Sequence, residues 1–275
     1  MNRIYSLPKP KNNEVLSYLV LSDLHDFALD TKAYDLIIRY FKQTPIKQRR
    51  IILLGDILDF PFLMDKNPAY KQAKRESDFD GYFVPEMEAA LTWWYSFFED
   101  LVKLVKKPEY IHYMMGNHED RANRAKFRAI LPHAYAPWFD LRKQLKVKEL
   151  GFNYYDYNTW LKIASSSMPN LLLTHGFLCG NNPIKKHHDI ARTSCLFGHT
   201  HEAGMQSFKS INKTVISYNN PCLCLINPGP KYMEGRPHNW STGATFINQS
   251  KNSYFVNTLI TQNDTLITPT GELLK

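Results

Sequence analysis

Five short apolar runs in this chain each stop at residues of the kind that bind metal ions. Leu16 to Leu21 is followed by Asp23-Leu24-His25, Ile51 to Leu54 by Gly55-Asp56-Ile57-Leu58-Asp59, and Tyr110 to Met115 by Gly116-Asn117-His118-Glu119. Leu171 to Leu173 leads into Thr174-His175-Gly176, and Cys195 to Phe197 into Gly198-His199-Thr200-His201. Each run has the length and the boundaries of a buried strand. Open α/β sheets carry their sites in the loops beyond the carboxyl ends of strands, so the pattern points to an α/β fold with one site gathered there.

The segments between the runs supply helices and further strands. Ala33 to Gln43 places Leu36, Ile37, Tyr40 and Phe41 on one helical face before Pro45 ends the pattern, which reads as a crossover helix. A polar stretch to about Gly81 precedes Pro85 to Lys106, where Met87, Leu91, Trp94, Phe98, Leu101, Val102 and Val105 recur at helical spacing; Pro85 suits a first helical position. We read residues 60–107 as a helical insertion or cap within a single domain spanning 1–275. Trp93, Trp94, Phe97 and Phe98 then serve core or cap packing, with a base-stacking platform as the alternative. After Glu119 a second helical region carries Arg121, Arg124, Lys126 and Arg128 and closes at Pro132. Such a run is ordinarily a solvated face, but Arg121 starts beside the site and is a candidate phosphate contact. Trp138 to Lys148 reads as a short helix, Asn153 to Ile163 as two strands or a hairpin. Beyond His201 the chain turns β-rich, with Val215–Tyr218, Leu223–Ile226, Gly243–Ile247, Tyr254–Ile260 and Thr265–Thr268 as strands and Gln262-Asn263-Asp264 as the last turn.

With 44% hydrophobic and 22% charged residues over 275 positions, the chain can bury an ordinary globular core. Met1 to Asn13 lacks the apolar centre of a secretion signal, and no run approaches the roughly 18 apolar residues of a membrane span. The expectation is a protein of the cytoplasm, or of the host cytoplasm if phage-encoded, with no membrane partner. Cys179, Cys195, Cys222 and Cys224 lack the spacing of a structural zinc site and are too few for a disulfide framework; Cys222 and Cys224 alternate along an apparent strand, so buried thiols are expected there. The net charge of +8 favours polyanionic partners.

Hydrolysis of a phosphate ester at neutral pH needs a hydroxide and neutralisation of the phosphoryl oxygens. Two divalent cations about 3.5 to 4 Å apart supply both, and holding them so close requires a bridging carboxylate, for which Asp56 is the candidate. Imidazoles and amide oxygens around it form a mixed set that suits manganese, iron or zinc better than calcium. A lone Asp or His at a strand end is ordinarily a loop residue or a satisfied hydrogen-bonder. The conjunction of five such ends is what carries the reading.

The order D-x-H, G-D-x-x-D, G-N-H-E, H and G-H-x-H, from Asp23 to His201, resembles the calcineurin-like metallophosphoesterase superfamily. The resemblance implies a four-layer α-β-β-α sandwich of two mixed sheets flanked by helices, and two divalent metal ions: manganese first, with iron, zinc, nickel or magnesium as alternatives. Carried over residue by residue, it implies that Asp23, His25 and His201 hold one metal, that Asn117, His175 and His199 hold the other, and that Asp56 bridges them. His118 is implied over the scissile phosphate, stabilising charge or protonating the leaving oxygen, with Asp59 orienting it and Asn117 and Arg121 beside the substrate. Asp59 and Glu119 stand between catalytic help and local loop structure. His187 and His188 either reach substrate from a loop or lie in a polar surface loop. His112 is read as structural, and Asn227-Pro228-Gly229 as a turn.

The substrate is narrowed by departures from family branches. Protein serine/threonine phosphatases carry Arg where this chain has Phe60 and Met115, and the additional tyrosine ligand of the purple acid phosphatases has no counterpart here. The pattern looks more like bacterial and phage members. The expected function is hydrolysis of a phosphodiester in a nucleic acid or nucleotide by in-line attack of a metal-bridging hydroxide. The alternatives are a phosphomonoesterase acting on a nucleotide or other small phosphate, its site capped by 60–107, and a metal-poor scaffold that binds proteins.

Overall fold

The structure is a computed structural model that describes residues 3–64, 79–127, 133–209, 213–226 and 238–275. Strands β1 (Ile4–Ser6), β2 (Leu16–Leu21), β3 (Arg49–Leu54), β4 (Ile111–Met114), β5 (Asn153–Tyr155), β6 (Trp160–Ile163), β7 (Leu171–Thr174), β8 (Ser194–Phe197), β9 (Gly204–Lys209), β10 (Thr214–Asn219), β11 (Gly243–Gln249) and β12 (Tyr254–Ile260) form two six-stranded sheets. The first runs β12-β11-β2-β3-β4-β5 and the second β1-β6-β7-β8-β10-β9. Both are mixed: β2, β3, β4 and β5 are parallel beside an antiparallel β11 and β12, while β7 and β8 are parallel beside an antiparallel β6.

Alternation along the strands explains the layering, because successive side chains point to opposite faces of a sheet. In β3, Ile52 and Leu54 join Tyr18 and Val20 against Leu161, Leu171, Leu173 and Leu196 of the second sheet, forming the layer between the sheets. Ile51 and Leu53 point the other way, into the helices. Strands buried on both faces read as continuous apolar runs, which is what the sequence shows. Helix α1 (Thr31–Phe41) starts at Asp30, whose side chain accepts from the Ala33 N–H, and buries Leu36, Ile37 and Phe41. Helix α2 (Val84–Leu104) has Pro85 in its first turn and buries Met87, Leu91, Trp94, Phe98 and Leu101. Helix α3 (Asp120–Phe127) follows β4, and α4 (Pro183–Ala191) covers the outer face of the second sheet through Ile184 and Ala191 packed beside Leu172 and Phe197. The order helix, sheet, sheet, helix is the four-layer α/β sandwich.

Helix α2 is the crossover between parallel strands β3 and β4, and its inner face is core. Trp94 is fully buried with its ring at 89° to Tyr113, while Trp93 stacks on Phe97 at 4.8 Å, so these aromatics pack the fold. Truncating a buried aromatic of this kind costs about 3–5 kcal/mol. Much of the polar stretch before α2, and Arg128, Pro132 and Asn227-Pro228-Gly229, lie outside the described residues. Of the two readings of Asn153 to Ile163, two strands holds and the hairpin does not. The segment forms β5 in the first sheet and β6 in the second, carrying the chain between layers. Leu223–Ile226 makes one isolated bridge, Cys224 with Leu29, instead of a strand, next to a second between Cys222 and Thr242. Among the described residues, no helix is long and apolar enough to cross a membrane.

Candidate metal centre

The carboxyl ends of β2, β3, β4, β7 and β8 meet at one edge of the two sheets. The loops after β2 and β3 are held in register by four consecutive backbone bonds: Asp23, Leu24, His25 and Asp26 donate to the carbonyls of Gly55, Asp56, Asp56 and Ile57 at 2.8 to 3.0 Å. The loops after β3 and β4 are tied by the fully buried Glu119. Its carboxylate accepts five hydrogen bonds, from the N–H groups of Asp56, Ile57, Leu58 and Gly116 and from the Tyr113 hydroxyl, at 2.7 to 3.0 Å. Glu119 is therefore a loop clamp. With every hydrogen-bonding direction facing a donor, it offers no group to a substrate.

Close packing here depends on missing side chains. A Cβ on Gly116 would collide with the Asp56 carboxylate, and one on Gly55, whose φ is +92°, would lie 2.5 Å from the His175 ring. Five of the seven ligand candidates, Asp23, His25, Asp56, His199 and His201, adopt positive φ between 52° and 72°. Such conformations cost of order 1 kcal/mol each and persist where the surroundings over-determine them. Here the surroundings are the interlocked loops.

The candidate ligands converge in two groups. In the first, Nε2 of His25 faces Nε2 of His201 at 3.2 Å, and Oδ1 of Asp23 lies 3.3 Å from the same His201 nitrogen. In the second, His175 donates from Nδ1 to the Leu54 carbonyl at 2.8 Å, which leaves Nε2 facing Asn117 Oδ1 at 3.0 Å and Asp56 Oδ2 at 3.3 Å. His199 joins His175 and Asp56 in one possible metal-binding group, while Asp56 also groups with His25 and His118. Lone pairs pointing at one another at such distances need a proton or a cation between them. Asp23 Oδ1 and His201 Nδ1 are buried without a hydrogen-bond partner among the described residues. These orphaned atoms, the glycine-opened space and the N/O donor set fit divalent metal ions.

Protons fill part of this role in the bare protein. Burial disfavours the His175 imidazolium, but Asp56 outweighs it and pushes the pKa up to about 9. Burial is likewise outweighed by Asp23 at His201, which rises to about 10. Burial would raise Asp23, yet His201 holds it down at about 2. His199 is pushed down to about 4 by burial and by His175.

His118 sits at the mouth, with its backbone N–H donating to Asp56 Oδ1 at 2.9 Å, ring Nε2 3.7 Å from Asp56 Oδ2, and ring Nδ1 bonded to Asp59. Burial alone would raise the Asp59 carboxyl, but His118 and His25 hold it well below the usual range. Arg121 is placed differently from its expectation as a phosphate contact. Its Nη1 donates to the backbone oxygen of Asp59 at 2.6 Å and to Oδ1 at 3.0 Å, so it braces Asp59. His187 and His188 lie on α4, not in a loop. His187 is fully buried, stacked on Phe197 and bonded to Pro183, and His188 stacks on Phe208. His112 is buried against Tyr155 and pushed by burial to about 4.

A cleft of about 720 Å³ opens over His25, Asp56, His118, His199 and His201, within the size range of ligand sites. It is lined further by 179–183, Thr200, Glu202, Asn239 and Trp240, and by no described residue of 60–107. The Trp240 ring lies 4.2 Å from that of His201. Two residues of the site carried no signal in the sequence as read: Trp240, and Cys224, which groups with His25 and His201.

The family model for calcineurin-like phosphoesterases matches residues 16–203, a span that contains all seven ligand candidates. Among curated proteins, none matches the chain. Similar solved structures include vacuolar protein sorting 29 of Cryptosporidium parvum, at 9% identity over 94% of this chain and 96% of that one, with a TM-score of 0.45. Wild-type Vps29 of Entamoeba histolytica complexed with zinc is 9% identical over 91% and 96%, with a TM-score of 0.42. A hypothetical protein of Pyrococcus horikoshii is 10% identical over 90% and 88%, with a TM-score of 0.45.

Proposed function

Because the chain belongs to the calcineurin-like phosphoesterase family, we propose that it is a dinuclear metal-dependent phosphodiesterase acting on a nucleic acid or nucleotide. The observation that carries this reading is the sharing of Asp56 between two donor groups beneath an open cleft. Asp23, His25 and His201 would hold one divalent cation, Asn117, His175 and His199 the other, and Asp56 both. Such cations, when bound, supply a water of lowered pKa and positive charge against the phosphoryl oxygens.

The chain's own part in the reaction centres on His118. Asp59 accepts from Nδ1, so Nε2 is the nitrogen left toward the cleft. In the protonated form His118 donates from Nε2 to the departing oxygen and returns to the Nδ1–H tautomer that Asp59 stabilises. Arg121 and the Asp26 carboxylate, which accepts the Asp59 N–H at 3.0 Å, hold Asp59 in place. Asn181, Asn182 and Asn239 amides with the Trp240 ring line the wall, groups suited to hydrogen-bonding and stacking on bases. The net charge of +8 supports a polyanionic substrate.

Incubation with single-stranded DNA, duplex DNA, RNA and mononucleotides under manganese, zinc or cobalt tests the reading. Internal or terminal diester cleavage that chelator abolishes is expected. Release of phosphate from mononucleotides alone would move the assignment to a phosphomonoesterase, and no cleavage of any would overturn both.

A further inference from the structure

Residues 223–225 run beside the loop that carries Asp23 and His25. Leu223 donates to the Asp23 carbonyl at 3.3 Å, Leu225 to that of Ala28 at 2.7 Å, and Asp30 to that of Leu223 at 2.9 Å, while Cys224 bridges Leu29. This stitching fixes the direction of alternate side chains. Leu223 enters the helical core, and Cys224 is buried on the side of the histidines, its thiol within 4.8 Å of ligand nitrogens on both His25 and His201. The neighbouring thiol is employed differently: Cys222 donates to the Ser241 carbonyl at 3.4 Å. Both thiols are free.

A second observation points to a ligand at the same place. Asp23 Oδ1 is wholly buried, has no hydrogen-bond partner among the described residues, and lies 3.3 Å from the His201 Nε2 that itself faces His25 Nε2. His201 is thus the meeting point: its Nε2 faces the Asp23 oxygen and the His25 nitrogen, and the Cys224 sulfur shares a possible metal-binding group with both histidines.

We propose that Cys224 is a further protein ligand, beside the shared Asp56, of the cation held by Asp23, His25 and His201, making this half of the centre a sulfur-containing site selective for zinc, ferrous iron or cobalt over manganese and magnesium. The inference rests on the metal-centre reading above. Thiolate is a soft ligand that the oxygen-preferring manganese and magnesium ions use poorly. The binding step balances simply: the Cys224 S–H bond breaks, a sulfur–metal bond forms, and the proton leaves to solvent. The other half of the centre, with Asn117, His175 and His199, has no thiol among its described neighbours in the metal-binding groups. The two halves would thus differ in metal preference.

The test is the electronic spectrum of the full chain stripped with chelator and titrated with cobalt(II). A thiolate-to-cobalt charge-transfer band in the near ultraviolet is expected in the wild type and in Cys222→Ser, and its loss in Cys224→Ser. In competition titrations, Cys224→Ser should weaken zinc binding by about tenfold or more while manganese binding stays within about twofold. Cobalt binding without the band in the wild type would overturn the thiolate ligand and leave the rest of the centre standing. Failure to bind cobalt at all would overturn both. A band in a protein that hydrolyses no phosphoester would uphold the ligand and sink the enzymatic reading instead.

Discussion

The carboxylate of Asp59 accepts the Nδ1 hydrogen of His118, and the same oxygen takes Nη1 of Arg121 at 3.0 Å. Asp59 is thus fixed from two sides, and the ring of His118 is fixed by Asp59. Orientation of the one histidine at the cleft mouth that is not a proposed ligand depends on this pair.

Asp59→Asn should leave both metals bound, because Asp59 belongs to neither ligand group, yet lower kcat. Loss of the preferred tautomer is expected to cost about 10- to 100-fold, less than loss of His118 itself. Metal analysis beside steady-state kinetics checks this. A fall in metal content equal to the fall in rate would count against the orienting role.

Arg121 separates bracing from substrate binding. If its guanidinium serves Asp59, as the geometry shows, Arg121→Gln should lower kcat for a diester by about tenfold with KM little changed. A rise in KM at constant kcat would restore the phosphate contact.

Glu119→Gln should destabilise the protein by about 2–4 kcal/mol, since the amide turns one acceptor oxygen into a donor facing N–H groups in a dry interior. Tyr113→Phe removes a single donor and should cost about 1 kcal/mol. Denaturant unfolding measures both. Equal effects would mean that Glu119 is not the clamp described.

The stability of the metal-free protein should peak near neutral pH. His175 and His201 have raised folded values of about 9 and 10, so the stability they confer is full below their unfolded pKa of about 6.5 and is lost as pH rises through the folded values. His112, His187 and His199 are depressed to about 4, so theirs is full above about 6.5 and is lost as pH falls through the folded values. Melting temperatures across pH 4 to 10, with and without divalent metal, check the signs. Metal should flatten the alkaline limb, because it takes the place of the protons between His175 and Asp56 and between His201 and Asp23.

Much of this was legible in the sequence because the site is built at strand ends. An apolar run bounded by Asp, Asn or His reveals both the strand and its loop, and so Asp23, Asp56, Asn117, His175 and His199 could be placed before their contacts were known. Partner choice was not legible in that way. Glu119 follows His118 in the chain and looks as available to substrate, but five donors surround it. The Arg121 side chain could face cleft or carboxylate, and only the three-dimensional position of Asp59 decides. The segment 153–163 has the alternation of a hairpin, yet β5 and β6 pair in different sheets, a long-range outcome that local pattern does not encode. Cys224 falls in a run read as a strand and Trp240 in a stretch without motif spacing; what brings them to the site are backbone bonds made by their neighbours, from Leu223 to Asp23 and from Ser241 to His201.

The central claim is tested most directly by hydrolysis of bis(p-nitrophenyl) phosphate and p-nitrophenyl phosphate, with wild type and His118→Asn side by side and metal content measured on the same samples. The expected result is metal-dependent cleavage that favours the diester and falls about 100-fold or more in the variant, with its metals retained. Absence of metal-dependent hydrolysis in a wild type that holds its metals would contradict it.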